Sequence, residues 1–405
     1  MTRSSAQACD SPSGCDEPEV MGAATLVADR AAEMQSEAAE AAADFEAGSA
    51  AVVSESAAEA TTEIEAGIAA VVDRLRQSAL DRLAPLPLGI DPAAFVDTLV
   101  AGKLLRARTV LLVARAYGDP DPDFATDTAA ALELLHVASL LHDDIIDESE
   151  LRRGQPALHV AAGSATAILV ADLLIALAYE LAAPFGPRAS TPLAVAFRRV
   201  CEGQLVESGL DWSDDLEAIE RYDTLKTGAL FGAAFQLGAA ASGVDAAVAG
   251  AFDESGQRLG LAFQLLDDLI DIEKDTHDLS KDHGADLRNG IPTWPLWSAH
   301  RVLQRSAGAS NASGAEPRKA IAPEQLAEVA NSPEVLGQAT ARILDLRDES
   351  RAILPPAARP ELLALASRTV LTGLERFIAT GEVTDEAAES EEAADTGDAA
   401  ETEES

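Results

Sequence analysis

The chain is predicted to be all-α, one large single-domain helical bundle with a central cavity between facing helices. Three observations predict an all-helical chain. Apolar residues recur at three- and four-residue spacing through most of residues 64–378, no segment alternates polar and apolar residues as a half-buried strand does, and Pro/Gly clusters cut the pattern into helix-length pieces. The spacing predicts helices over Ile64–Leu83, stopped by Pro85-Leu86-Pro87, and Asp91–Tyr117, stopped by Gly118-Asp119-Pro120. Next come Asp127–His142 and Ala165–Leu181, the latter closed by Pro184-Phe185-Gly186-Pro187. Pro192–Gly209, Leu216–Gly243 and Ala247–Ile272 follow. Thr293–Ser306 leads into a polar stretch, Ser306 to Pro317, read as a surface loop. Pro323–Leu354 ends at Pro355-Pro356, and a last helix runs from Pro360 to Ile378. No internal repeat is present, and the bundle arrangement follows from helices with short connections.

The ends differ from the middle. Residues 1–60 carry twelve acids and two arginines in an Ala/Ser/Glu-rich background, and residues 381–405 carry eleven acids and no base. These are expected to be an acidic N-terminal extension, disordered or loosely helical, and an acidic disordered tail, flanking a catalytic domain at 61–380. Net charge is −39, of which −18 remains on residues 61–380. Such an acidic surface suggests a high-salt cytoplasm, where screening weakens self-repulsion, and argues against nucleic acid as a partner. Cys9, Cys15 and Cys201 give neither a disulfide framework nor metal-ligand spacing, in keeping with a reducing, cytoplasmic setting. The polar start has no signal-peptide pattern. Ala161 to Phe185 is the most membrane-like stretch, but Asp172 interrupts it and a buried bundle helix is expected.

Two Asp-Asp-x-x-Asp motifs carry the chemistry: Asp143-Asp144-Ile145-Ile146-Asp147 and Asp267-Asp268-Leu269-Ile270-Asp271. Each closes an apolar helical run. Residues i and i+4 share a helix face, so Asp143 projects with Asp147 and Asp267 with Asp271. Crowded carboxylates repel unless a cation compensates, and oxygen ligands of this kind suit Mg²⁺, which takes one or two carboxylates plus substrate phosphates. A single motif is equally an acidic helix end on a solvated face; two copies, each on a long apolar helix, favour the metal.

Cations are scarce, with only five lysines in the chain, yet they gather around these motifs. Lys103 and Arg106 lie at i and i+3, Arg152-Arg153-Gly154 follows the first motif, Lys226-Thr227 precedes an apolar helix, and Lys281 follows the second motif. Arg can grip phosphate oxygens in a bidentate fork.

Taken together, these residues resemble the all-trans polyprenyl diphosphate synthase family. Leu132 through Asp144, continuing to Asp147 and Arg152-Arg153-Gly154, is similar to that family's first aspartate-rich region, and Phe263 through Asp271 to its second. Lys226-Thr227-Gly228-Ala229-Leu230-Phe231 and Asp286-Leu287-Arg288-Asn289-Gly290 are similar to the signatures between and after them. The match runs over about residues 65–375, with five motifs in the family's order.

The resemblance implies a prenyltransferase that joins isopentenyl diphosphate to an allylic diphosphate. It implies that Asp143, Asp147 and Asp267 bind Mg²⁺, three ions per site, with Asp144, Asp268 and Asp271 supporting indirectly. Arg152, Lys226, Thr227, Gln264 and Lys281 would hold the allylic diphosphate, and Lys103, Arg106, His136 and Arg153 the isopentenyl diphosphate. By its residues alone, a histidine on an apolar helix such as His136 is more often a satisfied core residue. The resemblance further implies a homodimer, with peripheral membrane association for product release. Ala138, Ser139 and Leu135 would border the growing chain. In the family an aromatic residue five before the first Asp stops elongation early; Ala138 offers no such stop, so six or more isoprene units are expected, with farnesyl or geranylgeranyl diphosphate as the alternative product.

The pattern is not followed everywhere. The family commonly reads Gly-Gly-Lys-Arg-x-Arg-Pro, where this chain has Ala101-Gly102-Lys103-Leu104-Leu105-Arg106-Ala107. Ile291-Pro292-Thr293 stands where many members carry a lysine after the Gly, and Lys281 follows Ser280 rather than Gly. A non-catalytic partner subunit of a heteromeric synthase would be expected to have degraded acidic motifs. A terpene cyclase would need neither a second full motif nor the Lys103/Arg106/His136/Arg153 set.

Overall fold

Helix α1 (Glu55–Leu83) shows why the periodic reading works: Ile64, Ile68, Val71, Leu75, Ala79 and Leu83 are all buried, one stripe at three- and four-residue steps. The computed structural model describes residues 55–272, 287, 290–310 and 321–378, all within one compact unit. Most of the acidic extension, the acidic tail from 381, Cys9, Cys15, Lys281, Arg288 and most of the polar stretch after Ser306 lie outside the described residues. The first helix begins at Glu55, within the segment expected to be extension.

The remaining elements are α2 (Pro92–Val100), α3 (Leu105–Tyr117), α4 (Pro122–Ile146), β1 (Leu151–Arg152), β2 (Gln155–Pro156), α5 (Leu158–Ala162), α6 (Ser164–Ala182), α7 (Pro187–Glu207) and α8 (Leu216–Asp223). A π-turn, Thr224–Gly228, then leads into α9 (Ala229–Ala241). They are followed by α10 (Ala249–Ile272), α11 (Trp294–Ser310), α12 (Pro323–Ala330), α13 (Pro333–Ile353) and α14 (Pro360–Val370). The fold is all-α. Its one departure among the described residues is the two-residue antiparallel pair β1–β2, in register Leu151↔Pro156, which the sequence reading did not anticipate.

Two predicted helices are each split. Asp91–Tyr117 breaks at 101–104, where Leu104 takes a left-handed conformation (φ 49°). Pro323–Leu354 breaks at Asn331-Ser332-Pro333, because Ser332 caps a new helix and Pro333 occupies its first position. The first acidic helix, α4, starts earlier than the periodicity suggests because Asp121 accepts the Asp123 and Phe124 N–H groups at 3.2 and 3.1 Å ahead of Pro122. It then continues through the motif to Ile146.

α4 is the central helix, packed against α6, α1, α3 and α9. α4 and α6 are both long and apolar enough to cross a membrane, but the apolar window is 78% buried in α4 and only 33% buried in α6. α6 is thus less enclosed than the expected buried bundle helix, and it exposes Ile168 and Leu169.

Candidate active site

On α4 beyond Leu135, His136, Ser139, Leu140, Asp143 and, at the helix end, Asp147 keep accessible surface along one face, while His142, Ile145 and Ile146 do so on another. The first is the i, i+3, i+4, i+7, i+11 face of the helix. Asp144 lies off it, 2% exposed, where its Oδ1 accepts Arg152 Nε at 2.9 Å and Nη2 as well. The β1–β2 hairpin makes that contact possible by turning Arg152 back toward α4. On α10 the same division recurs: Asp267 and Asp271 are partly exposed, Asp268 is buried, and Gln264 Nε2 donates to Asp268 Oδ1 at 2.8 Å. In both motifs the first and last residues keep some accessible surface, whereas the middle carboxylate is buried and held by a neighbouring side chain.

The π-turn brings the two motifs into one site. Lys226 Nζ lies 2.8 Å from both carboxylate oxygens of Glu207 and within the fields of Asp143 and Asp147. The next residue, Thr227, donates Oγ1–H to Gln264 Oε1 at 2.6 Å, and Gln264 continues to Asp268. One turn of backbone therefore offers a cation to the first motif and, through Gln264, a hydrogen-bonded link to the second. Single π-turns of this kind occur often at functional sites. Burial disfavours the Lys226 charge, but Asp143 and Glu207 outweigh it and hold its pKa above the ordinary value.

Glu207 is the main site residue that sequence reasoning missed. Besides Lys226 it accepts Tyr222 Oη–H at 2.6 Å and Gln204 Nε2–H at 2.6 Å. Gln204 and Glu207 at i and i+3 near the end of α7 share a face, yet a polar pair there reads equally as a solvated helix end.

A second cationic cluster gathers at the start of α3. Arg106 is 9% exposed, its guanidinium 5.0 Å above the Phe231 ring, and its Nε has no hydrogen-bond partner. Arg153, left-handed at φ 53°, donates Nη1 to the Thr98 carbonyl at 2.9 Å. It lies so close to Gly102 that a Cβ there would sit 2.7 Å from Nη2. Burial, and then Arg106, Arg153 and Arg152, push the His136 pKa well below its ordinary value, so this imidazole is neutral. Arg106, Arg153 and His136 therefore converge as the sequence suggested, while Lys103 stands exposed at the edge. A buried guanidinium with an unused N–H, beside further cations, is arranged to receive an anion.

The carboxylate side has the opposite imbalance. Burial raises the Asp143 pKa to about 6; Lys226 opposes that rise, and Asp147 and Glu207 add to it. Asp147 is raised by burial too. An all-oxygen donor set short of positive charge fits a hard divalent cation. Among the described residues no three His, Cys, Asp or Glu side chains close around a point by themselves, so such an ion would need further oxygens from a ligand, as Mg²⁺ commonly does.

The polyprenyl synthetase family profile matches residues 93–328, which include both acidic motifs and the π-turn. The chain belongs to the polyprenyl synthetase family. Within that family it is 36% identical over 203 residues to a nonaprenyl diphosphate synthase of Mycobacterium tuberculosis, covering 49% of this chain and 60% of that protein. It is 35% identical over 254 residues to a geranylgeranyl diphosphate synthase of Rhodobacter capsulatus, covering 57% and 84%. It is also 36% identical over 213 residues to heptaprenyl diphosphate synthase component 2 of Geobacillus stearothermophilus, covering 52% and 66%. The chain thus spans about three fifths of the length of the first of these relatives. Among solved structures, a polyprenyl synthase from Caulobacter crescentus complexed with calcium and isoprenyl diphosphate superposes with TM-score 0.62 at 32% identity, over 76% of this chain and 95% of that one.

Proposed function

We propose that this polyprenyl synthetase condenses isopentenyl diphosphate with an allylic diphosphate to give a polyprenyl diphosphate of six or more isoprene units. The observation that carries the reading is the π-turn, whose Lys226 and Thr227 link two acidic motifs into a single site, while the Arg106/His136/Arg153 cluster gathers guanidinium groups around a buried Arg106 Nε with no hydrogen-bond partner. Mg²⁺, three ions in this reading, would be held by Asp143, Asp147 and Asp267 and would supply positive charge to the departing diphosphate.

The chain's own residues account for the rest. Lys226, with Arg152, Thr227, Gln264 and Lys281, would bind the allylic diphosphate and stabilise charge as its C–O bond ionises. Arg106, Lys103 and Arg153, with neutral His136 as a hydrogen-bonding group, would hold isopentenyl diphosphate so that its double bond attacks the allylic cation. Proton loss to the released diphosphate completes the step. The buried apolar turns before the first motif, with Leu135 and Ala138 at 0% exposure, would keep water from the cation. Incubating the purified chain with Mg²⁺, isopentenyl diphosphate and farnesyl or geranylgeranyl diphosphate tests this, and recovery of unextended primer alone would overturn it.

Product length has a second reading, since Ala138 and Leu135 are both fully buried while Ser139 keeps some surface. That enclosure favours a shorter product, of the geranylgeranyl kind. The long-chain reading expects Ala138→Tyr to shorten the products, with overpacking of about 1–3 kcal/mol. An unchanged product distribution in an active variant would show that the chain does not pass Ala138.

Ile168, Leu169 and Leu205 are 43%, 67% and 78% exposed on α6 and α7. We propose that this apolar surface pairs two copies of the chain as a homodimer. Leu169→Glu should then elute as a monomer in size-exclusion chromatography with light scattering; a parent chain already monomeric would rule out the pairing. Similarity to a heptaprenyl synthase component makes a second, different subunit the other possibility, and activity of the chain alone would exclude a requirement for one. For a high-salt cytoplasm, the melting temperature should rise from dilute buffer to molar KCl as like charges are screened. A steady fall with KCl would count against that habitat.

A further inference from the structure

Leu104, the residue before α3, is left-handed at φ 49° and ψ 44° and offers the helix no side-chain hydrogen bond. A helix opened this way leaves its first N–H groups without acceptors. Arg108 N–H reaches the Leu104 carbonyl at 2.9 Å. The Ala107 N–H instead meets a carboxylate from another helix: Glu133 Oε1, on α4, accepts it at 3.0 Å. The Arg106 amide faces the same carboxylate. Glu133 is 3% exposed, and a carboxylate so buried is costly unless it is hydrogen-bonded and charge-compensated. Its partners are the positive N-terminal end of α3 and the Arg106 cation.

This contact depends on the residue at position 107. Where the family commonly has proline, this chain has Ala107, and only a non-proline residue has the N–H that Glu133 accepts. Glu133 also lies three residues before His136 on α4, so one helical turn carries both a candidate ligand and the group that fixes the start of α3.

We propose that Glu133 is a positioning residue for the isopentenyl diphosphate subsite. Acting as an N-cap supplied by α4, it sets where α3 begins and so where Lys103 and Arg106 stand, in place of the rigid turn that a proline would provide. The inference rests on the function proposed above for the Arg106/His136/Arg153 cluster.

Two near-isosteric variants separate its elements. Glu133→Gln keeps the reach and the accepting oxygen but loses the charge, whereas Glu133→Asp keeps the charge and withdraws the oxygen. Calorimetric titration of each with isopentenyl diphosphate and, separately, with geranylgeranyl diphosphate reads the subsites without requiring turnover. The expected result is a Kd for isopentenyl diphosphate raised by about fivefold or more in Glu133→Asp, close to parental in Glu133→Gln, and a geranylgeranyl diphosphate Kd unchanged in both. Equal losses in the two variants, a parallel weakening of both diphosphates, or no change in either would overturn the proposal. If Glu133→Asp proves unfolded by circular dichroism, Ala107→Pro supplies the rigid turn instead: Glu133→Asp in that background should fold and bind isopentenyl diphosphate within about twofold of Ala107→Pro alone, and continued unfolding or a loss of about fivefold or more there would overturn the proposal. A parent chain that binds isopentenyl diphosphate yet makes no product refutes the condensation reading and leaves this one readable.

Discussion

Alanine at Asp143 or Asp267 is expected to lower turnover by at least about a hundredfold, the scale of losing one charge-stabilising group in a transition state, without unfolding the protein. Neither side chain belongs to the hydrophobic core, so neither substitution opens a hole in it. Near-normal turnover in either variant would show that its motif does not hold the metal. Asp143 also predicts a stability change of opposite sign. Burial raises its pKa to about 6, so the native state disfavours the ionised form. The penalty is absent near pH 4, grows as pH rises and is complete above about 6. Asp143→Asn removes it, and in EDTA that variant should be more stable than the parent at pH 8 by about 2–3 kcal/mol, but not at pH 4. Equal melting temperatures at pH 8 would mean that the carboxylate is relieved in some other way. A site that sacrifices stability in the absence of its ligands is the usual form of the stability–activity trade-off.

The helical class was readable because burial follows the same spacing as the apolar residues: the stripe from Ile64 to Leu83 on α1 appears in the structure with little change. That the first and last Asp of each Asp-Asp-x-x-Asp share a face was readable for the same reason, since i and i+4 stay together whatever surrounds them. What stayed hidden depends on contacts between distant segments. The break before α3 lies in Gly-Lys-Leu-Leu, which keeps helical spacing across a left-handed Leu104, and its stabilising partner Glu133 comes from the next long helix. The π-turn lies in Thr-Leu-Lys-Thr-Gly, where nothing in composition distinguishes five residues of wider winding from an ordinary helical turn. Glu207 became recognisable as a site residue only when α7 was packed against that turn. Arg152 was expected to hold phosphate, and the structure gives it a second task, the pairing with Asp144.

Gly203 makes the packing of α7 against the π-turn testable. A Cβ at this position would lie 2.6 Å from Lys226 N, 2.9 Å from Lys226 Cα and 3.1 Å from the Leu225 carbonyl carbon. All three are backbone atoms, so no rotamer change can make room, and either α7 or the turn must move. Gly203→Ala should destabilise the fold by about 1–3 kcal/mol, as overpacking does. The larger effect falls on activity, because Lys226 is carried on the displaced backbone and a misplacement of about 1 Å at a reacting centre can lower rates about a hundredfold. Gly337→Ala on α13 is the control: a Cβ there meets nothing within 4 Å, and alanine in an exposed helix interior should add stability, by up to about 1 kcal/mol. The two variants should therefore move apart in melting temperature, and only Gly203→Ala should lose turnover at temperatures where it is fully folded. Normal turnover in folded Gly203→Ala would mean that Lys226 need not be held where α7 and the π-turn now place it, and the central role given to that turn would fail.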